Sequence, residues 1–295
     1  MKKILITVLI AIGIFIFFNS FSESSQFTKG TEQDLLIEGK AAVLLDNESG
    51  AVLYQKNGEE RIYPASTTKI MTALLAVEMG NMDEIVRVGN ETKMKVDNES
   101  TAWLVEGSQM NLKTLIAGMM LPSGNDAART VAIHIAKKDS NNSRLTNEQA
   151  LAYFAKLMNR RAKEIGATHS HFVNPHGLHD DNHYTTAKDL GIIAREAMKN
   201  ATFREIVSEQ KYVDPAVTYV NRNKLLDPTS GFYFEGANGI KTGFTDEAGY
   251  CLISSATRNG KEVVAIVLQS TDASVWTDSI TLLEHGFTKL VATAN

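Results

Sequence analysis

The sequence predicts an α+β fold in which an antiparallel sheet packs against a helical cluster. Three observations carry that prediction. Two short apolar runs near the start are joined by turn residues, the middle of the chain is rich in helical patterns, and three consecutive strand-like runs precede a last helix. Alternating βα units are missing, which argues against a doubly wound parallel sheet.

The elements follow in order. Lys40 to Asp46 and Ala51 to Gln55 read as strands, with Asn47-Glu48-Ser49-Gly50 supplying the hairpin turn. Pro64 restricts Tyr63, and a strongly helical stretch from Ala65 to Glu78 ends at Gly80. A second helix is expected from about Leu112 to Met120, where Pro122 breaks it, and a third from Asp126 to Lys138. Residues 146–165 and 186–199 also carry helical patterns, with a His-rich irregular stretch, 169–184, between them. Gly239 to Thr245, Gly249 to Thr257 and Lys261 to Gln269 read as strands. Asn259-Gly260 is a tight-hairpin signal because it accepts the positive φ such turns need. A helix over about 275–290 closes the fold.

Composition bounds the function. Of 295 residues, 43% are hydrophobic and 22% charged, which is ordinary globular usage and excludes disorder, collagen and coiled coil. A net charge of −4 without a long Lys/Arg run gives no pull on nucleic acid. Cys251 is the single cysteine, so neither an internal disulfide nor a multi-cysteine zinc site can be built. Its apolar neighbours suggest a buried, inert thiol. The amino terminus departs from the average: Lys2-Lys3 precede an apolar run from Ile4 to Phe18, then Asn19-Ser20-Phe21-Ser22. Residues 1–25 therefore read as a signal peptide or amino-terminal membrane anchor, 26–35 as a tether and 36–292 as one globular domain. An extracytoplasmic protein follows, secreted or held at the envelope through that first segment.

Three short motifs hold the chemistry. Ser66-Thr67-Thr68-Lys69 sets a hydroxyl and an amine three residues apart on one helical face, at an end rich in free backbone N–H groups. A serine there can attack a carbonyl, and a desolvated Lys69 can take its proton. The pattern alone is weak, since Ser208 to Lys211 repeats it. Ser123-Gly124-Asn125 follows a Pro-broken helix junction and can expose a hydroxyl and an amide on one loop. Lys241-Thr242-Gly243 lies on the first of the late strands, where Gly243 permits close approach and Lys241 and Thr242 suit a carboxylate. In this order the three match the S-x-x-K, S-D-N, K-T-G set of class A β-lactamases and penicillin-binding proteins, the middle residue alone differing.

The stretches Ala65–Thr72, Leu121–Ala128 and Gly239–Thr245, with Asn174-Pro175-His176-Gly177-Leu178 and His183-Tyr184-Thr185-Thr186-Ala187, resemble the serine D-alanyl-D-alanine carboxypeptidases among the low-molecular-mass penicillin-binding proteins. The resemblance spans about residues 35–290. It implies a β-lactamase/transpeptidase-like fold with a five-stranded antiparallel sheet, and no metal or cofactor. It implies Ser66 as the nucleophile on the D-Ala-D-Ala end of a peptidoglycan stem peptide, Lys69 as its base, and β-lactams as covalent inhibitors. Ser123 and Lys241 would relay a proton to the leaving amine, Asn125 would position the acyl-side amide, and Thr242 would hold the substrate carboxylate. Gly243 would border the site, and the N–H groups of Ser66 and Phe244 would form the oxyanion hole.

Two departures stand out. Many relatives carry a basic residue downstream of the K-T-G strand; here no arginine follows Arg258, so the carboxylate is expected to rest on Thr242, Lys241 or Thr245. Many also continue into a further β domain, whereas this sequence stops at Asn295. Three rivals remain. A class A β-lactamase would place a deacylating Glu before a proline, and none of the five prolines follows Glu. A metal hydrolase would use the histidines at 169, 171, 176, 179 and 183, whose spacing fits no standard zinc pattern. A non-catalytic binding or sensor protein would not need the whole catalytic set.

Overall fold

A computed structural model describes residues 35–292, so the proposed leader and most of the tether lie outside the described residues. From Ile37 onward the chain forms a compact unit.

Strands β1 (Ala41–Asp46) and β2 (Val52–Lys56) form the expected hairpin, with Gly50 at φ 77° in its turn. A 3-10 turn, Ala65–Thr68, leads into helix α1 (Lys69–Met79). The sequence placed one helix from Ala65; its first turn is in fact wound more tightly, the backbone having just left a left-handed Ala65 at φ 47°. Strand β3 (Ile85–Arg87) pairs with β4 (Gln109–Asn111), a small ribbon without a sequence signal because three residues carry no readable alternation.

Helix α2 (Leu112–Met120) is capped by Asn111, whose side chain accepts from the Thr114 N–H at 2.7 Å. Helix α3 spans Asn125–Asp139, and α4 (Asn147–Glu164) opens on a Thr146/Gln149 capping box. Helix α5 (Ala187–Ala197) is followed by α6 (Ala201–Ser208), which lies beyond the helical pattern read over 186–199 and was missed. The hairpin of β5 (Lys211–Asp214) and β6 (Val217–Val220) was also missed, because four-residue strands are too short to leave a readable alternation, although Tyr219 is buried and Tyr212 and Val217 pack against the core. Strands β7 (Ala237–Thr245), β8 (Gly249–Arg258) and β9 (Lys261–Ser270) then precede helix α7 (Ser274–Ala292).

The main sheet has five strands in the order β2-β1-β9-β8-β7, each pair antiparallel. This is the expected α+β architecture. Residues 263–268 of β9 are all buried, since the strand is central and helices cover both faces. Helix α7 packs against β9, β8 and β1, and α5 against β9 and β1. Helix α1 is buried continuously from Lys69 to Ala76, with α2 to α6 packed around it. A helix apolar on every side belongs in a core, and Lys69 is drawn inside with it. The edge strand β7 runs beside the turn at Ala65–Thr68, and the site lies at that contact.

Candidate active site

The turn that presents Ser66 is fixed by its neighbours. Thr67 Oγ1 donates to Pro64 O at 2.6 Å and Thr68 Oγ1 to Ala65 O at 2.8 Å. His183 holds it from behind: Nδ1 accepts from the Val173 N–H at 3.1 Å, so Nε2 carries the proton and donates to Thr68 Oγ1 at 2.8 Å. Burial pushes His183 down to about 4, which keeps this neutral tautomer in place at neutral pH.

The Asn174-Pro175-His176-Gly177-Leu178 loop supplies carbonyls. Asn174 Oδ1 accepts from the Gly177 N–H at 2.7 Å and turns the chain so that His176 O faces Lys69 and Pro175 O faces Thr72. Gly177 adopts φ 89°, and a Cβ there would sit 1.8 Å from Ala65 O, so only glycine fits.

Lys69 has no exposed surface. Its Nζ lies 2.9 Å from Ser66 Oγ, 2.6 Å from Asn125 Oδ1 and 2.8 Å from His176 O. Burial, then the nearby Lys241 cation, hold its pKa well below the usual lysine value; Glu99 opposes this, while Arg129 and Arg222 add to it. A neutral amine has two N–H bonds and one lone pair. Asn125 Oδ1 and His176 O take the two hydrogens, which leaves the lone pair for Ser66 Oγ. That is the geometry of a general base beside a nucleophile.

Ser123 stands at the start of α3 with φ 67°, a backbone state unusual for serine and held by the Gly124 N–H to Gly118 O bond at 3.0 Å. Lys241 is 2% exposed, donates to Thr242 O at 2.9 Å, and is lowered to about 7 by burial and by Arg222. Gly243 has a closer neighbour than a ligand: a Cβ there would lie 3.1 Å from the Ser66 nitrogen, so its bareness lets β7 approach the Ser66 turn.

A cavity of about 410 Å³ opens over this cluster. Ser66, Ser123, Asn125, Thr242, Gly243 and Phe244 line it, and Lys69 and Lys241 are buried beside it. All eight residues singled out in the sequence thus come together. The second S-x-x-K does not: Ser208 ends α6, Lys211 begins β5, and both are exposed. Cys251 borders the cavity but is buried, and desolvation pushes its thiol up to about 12, far from a reactive thiolate.

Sequence reasoning missed Arg222. It lines the cavity, donates from Nη1 to Ser100 Oγ at 2.8 Å, and is tied by its N–H to Leu121 O at 3.2 Å beside the Ser123 loop. A search for a cation downstream of β7 could not find one that precedes it. Glu99 and Arg129 were missed too, having no motif to mark them.

Comparison with known proteins places the chain in a family. Residues 28–272 match the peptidase S11 family, D-alanyl-D-alanine carboxypeptidase. The chain is 34% identical over 277 residues to the Bacillus subtilis D-alanyl-D-alanine carboxypeptidase DacF, covering 90% of this chain and 66% of that protein. It is 33% identical to a D-alanyl-D-alanine carboxypeptidase of Streptomyces sp. strain K15, over 82% of this chain and 85% of the relative. It spans only about six-tenths of the Escherichia coli relative DacC, whose matched share is 62%. The crystal structure of the Streptomyces K15 DD-transpeptidase superimposes with a TM-score of 0.77 at 34% identity, covering 86% of this chain and 98% of that one. DacD from Francisella tularensis gives 0.74 at 26% identity, over 86% and 71%. With three motifs meeting at one cavity and a family match across most of its length, the chain belongs to the D-alanyl-D-alanine carboxypeptidase family of serine peptidases, S11.

Proposed function

We propose that residues 36–292 form a catalytic domain that removes the terminal D-alanine from peptidoglycan stem peptides through an acyl-enzyme on Ser66. The observation that carries this reading is the hydrogen-bond arrangement at Lys69, in which two acceptors occupy the N–H bonds and Ser66 Oγ lies 2.9 Å away. Ser66 Oγ attacks the carbonyl carbon of the penultimate D-alanine as its proton passes to Lys69 Nζ. The N–H groups of Ser66 and Phe244 bind the oxyanion. On collapse the C–N bond breaks, and the departing D-alanine amine takes a proton through Ser123 Oγ and Lys241. A pKa of about 7 suits Lys241 to that exchange. Water then hydrolyses the ester. No metal or cofactor is needed in this scheme.

The substrate's terminal carboxylate meets Thr242 and Thr245 with Arg222, which supplies the cation that the sequence reading assigned to Lys241 alone. Asn125 holds the acyl-side amide. A β-lactam would follow the same first step, but its leaving group stays tethered and blocks the water. The enzyme acts outside the cytoplasm, consistent with the signal-like start, and the membrane is reached through residues 1–25. Among the described residues no helix is long and apolar enough to cross a membrane.

Incubation with benzylpenicillin, followed by intact-mass measurement and peptide mapping, tests the acyl-enzyme. One adduct confined to the Ser66 peptide is expected, and rapid turnover of nitrocefin without an adduct would instead make the chain a β-lactamase.

A further inference from the structure

Beneath the cavity a carboxylate outside every motif is buried against the amide that touches Lys69. The Glu99 side chain has 0% of its surface exposed and that of Arg129 has 3%. Arg129 grips it in a fork, Nη1 donating to Oε1 at 2.8 Å and Nη2 to Oε2. The same Oε2 accepts from Asn125 Nδ2 at 3.2 Å, while Asn125 Oδ1 accepts from Lys69 Nζ at 2.6 Å. An ion pair this deep is weak evidence for stability, since its desolvation offsets much of its attraction. What it does here is give a direction to an amide.

The oxygen and nitrogen of an asparagine amide are nearly the same size, so packing alone does not choose between its two orientations. The Asn125 backbone is already pinned by its N–H to Ser100 O at 2.8 Å, leaving the amide rotation as the open variable. In the observed orientation a donor faces Glu99 and an acceptor faces Lys69. Turned over, the amide would set its oxygen against the Glu99 carboxylate and its N–H against Lys69. The Lys69 lone pair would then be drawn to Asn125, and Lys69 would donate to Ser66 Oγ where it ought to accept. We propose that Glu99, held by Arg129, is a positioning residue for acylation: it fixes the Asn125 amide and so aims the Lys69 lone pair at Ser66. Its hydrogen bond uses one Nδ2 hydrogen and leaves the other for the acyl-side carbonyl of the substrate. The proposal rests on the reading of Ser66 as nucleophile and Lys69 as base.

The charged groups that act on Lys69 are Lys241, Arg129 and Arg222, which disfavour its proton, and Glu99, which favours it. His176, beside it, is held neutral by burial. Glu99 therefore makes Lys69 a stronger base than the cations alone would leave it.

The test is the acylation rate with a fluorescent penicillin, measured against pH on purified wild type, Glu99→Gln, and the double variant Glu99→Met with Arg129→Met. The double variant removes both charges at similar volume and is expected to melt near the wild type. Its rate on the pH-independent plateau should fall about tenfold or more, the effect of a misaimed base. A folded double variant that acylates at the wild-type rate would overturn the proposal. If it does not fold, Glu99→Gln decides. A lower plateau and an acid limb displaced to lower pH uphold the proposal, and either one unchanged overturns it. Failure of the wild type to be acylated would remove the parent reading and this one together.

Discussion

At position 69 an amine that would be charged in water sits fully buried, 2.9 Å from a hydroxyl, with acceptors on its other sides. The S-x-x-K spacing makes Ser66 and Lys69 legible in the sequence because three residues is nearly one helical turn. It cannot say which way a lone pair points. That depends on His176 O, Asn125 Oδ1 and, behind them, Glu99, groups 107, 56 and 26 residues from the atoms they serve. Arg222 was hidden for the same reason, since its place in the cavity is set by Leu121 and Ser100, about a hundred residues earlier. Its role is open to a direct test. Arg222→Gln should raise the KM for a carboxylate-terminated pentapeptide by about tenfold or more, the value of a hydrogen bond to a charged group. An unchanged KM would return carboxylate binding to the threonines and Lys241.

At the scale of elements, the strands and helices with a buried face were the readable ones. The apolar runs of β1, β8 and β9 and the continuous burial of α1 leave strong patterns, so their bounds agree with expectation to within one to four residues. The strands of the β3–β4 ribbon and the β5–β6 hairpin have only three and four residues, too few to leave one. The two S-x-x-K segments make the point sharply. One begins a buried helix and the other straddles the end of α6 and the start of β5, a distinction that spacing does not carry. The loop carrying Gly177 is equally exacting. Gly177→Ala combines a left-handed backbone with a 1.8 Å approach to Ala65 O, so it should destabilise by about 2 kcal/mol or more and lower Tm by roughly 4 °C or more. A thermal melt matching wild type would mean the loop repacks freely.

Across the whole molecule, the His-rich stretch that the sequence left open to metal ligation is tied to the turn that carries Ser66, with His183 spanning from Val173 to Thr68. Because its folded pKa, about 4, lies below the ordinary histidine value of about 6.5, the unfolded chain binds the extra proton between those limits. The stability tied to neutral His183 is full above about pH 6.5 and is lost as pH falls toward 4, on the order of 3 kcal/mol. His183→Gln should flatten that part of the stability–pH curve in urea titrations, and an unaltered slope would assign acid sensitivity to other groups. The five-stranded sheet and helical cluster bring the three motifs, which span more than 170 residues, to one cavity whose local electrostatics come from two buried lysines and not from the net charge of −4. D-alanine release from a D-Ala-D-Ala-terminated pentapeptide, compared between wild type and Ser66→Ala, decides whether that cavity works as proposed. Release by the wild type and a fall of about a thousandfold or more in the variant is expected. Equal release from both proteins would contradict it.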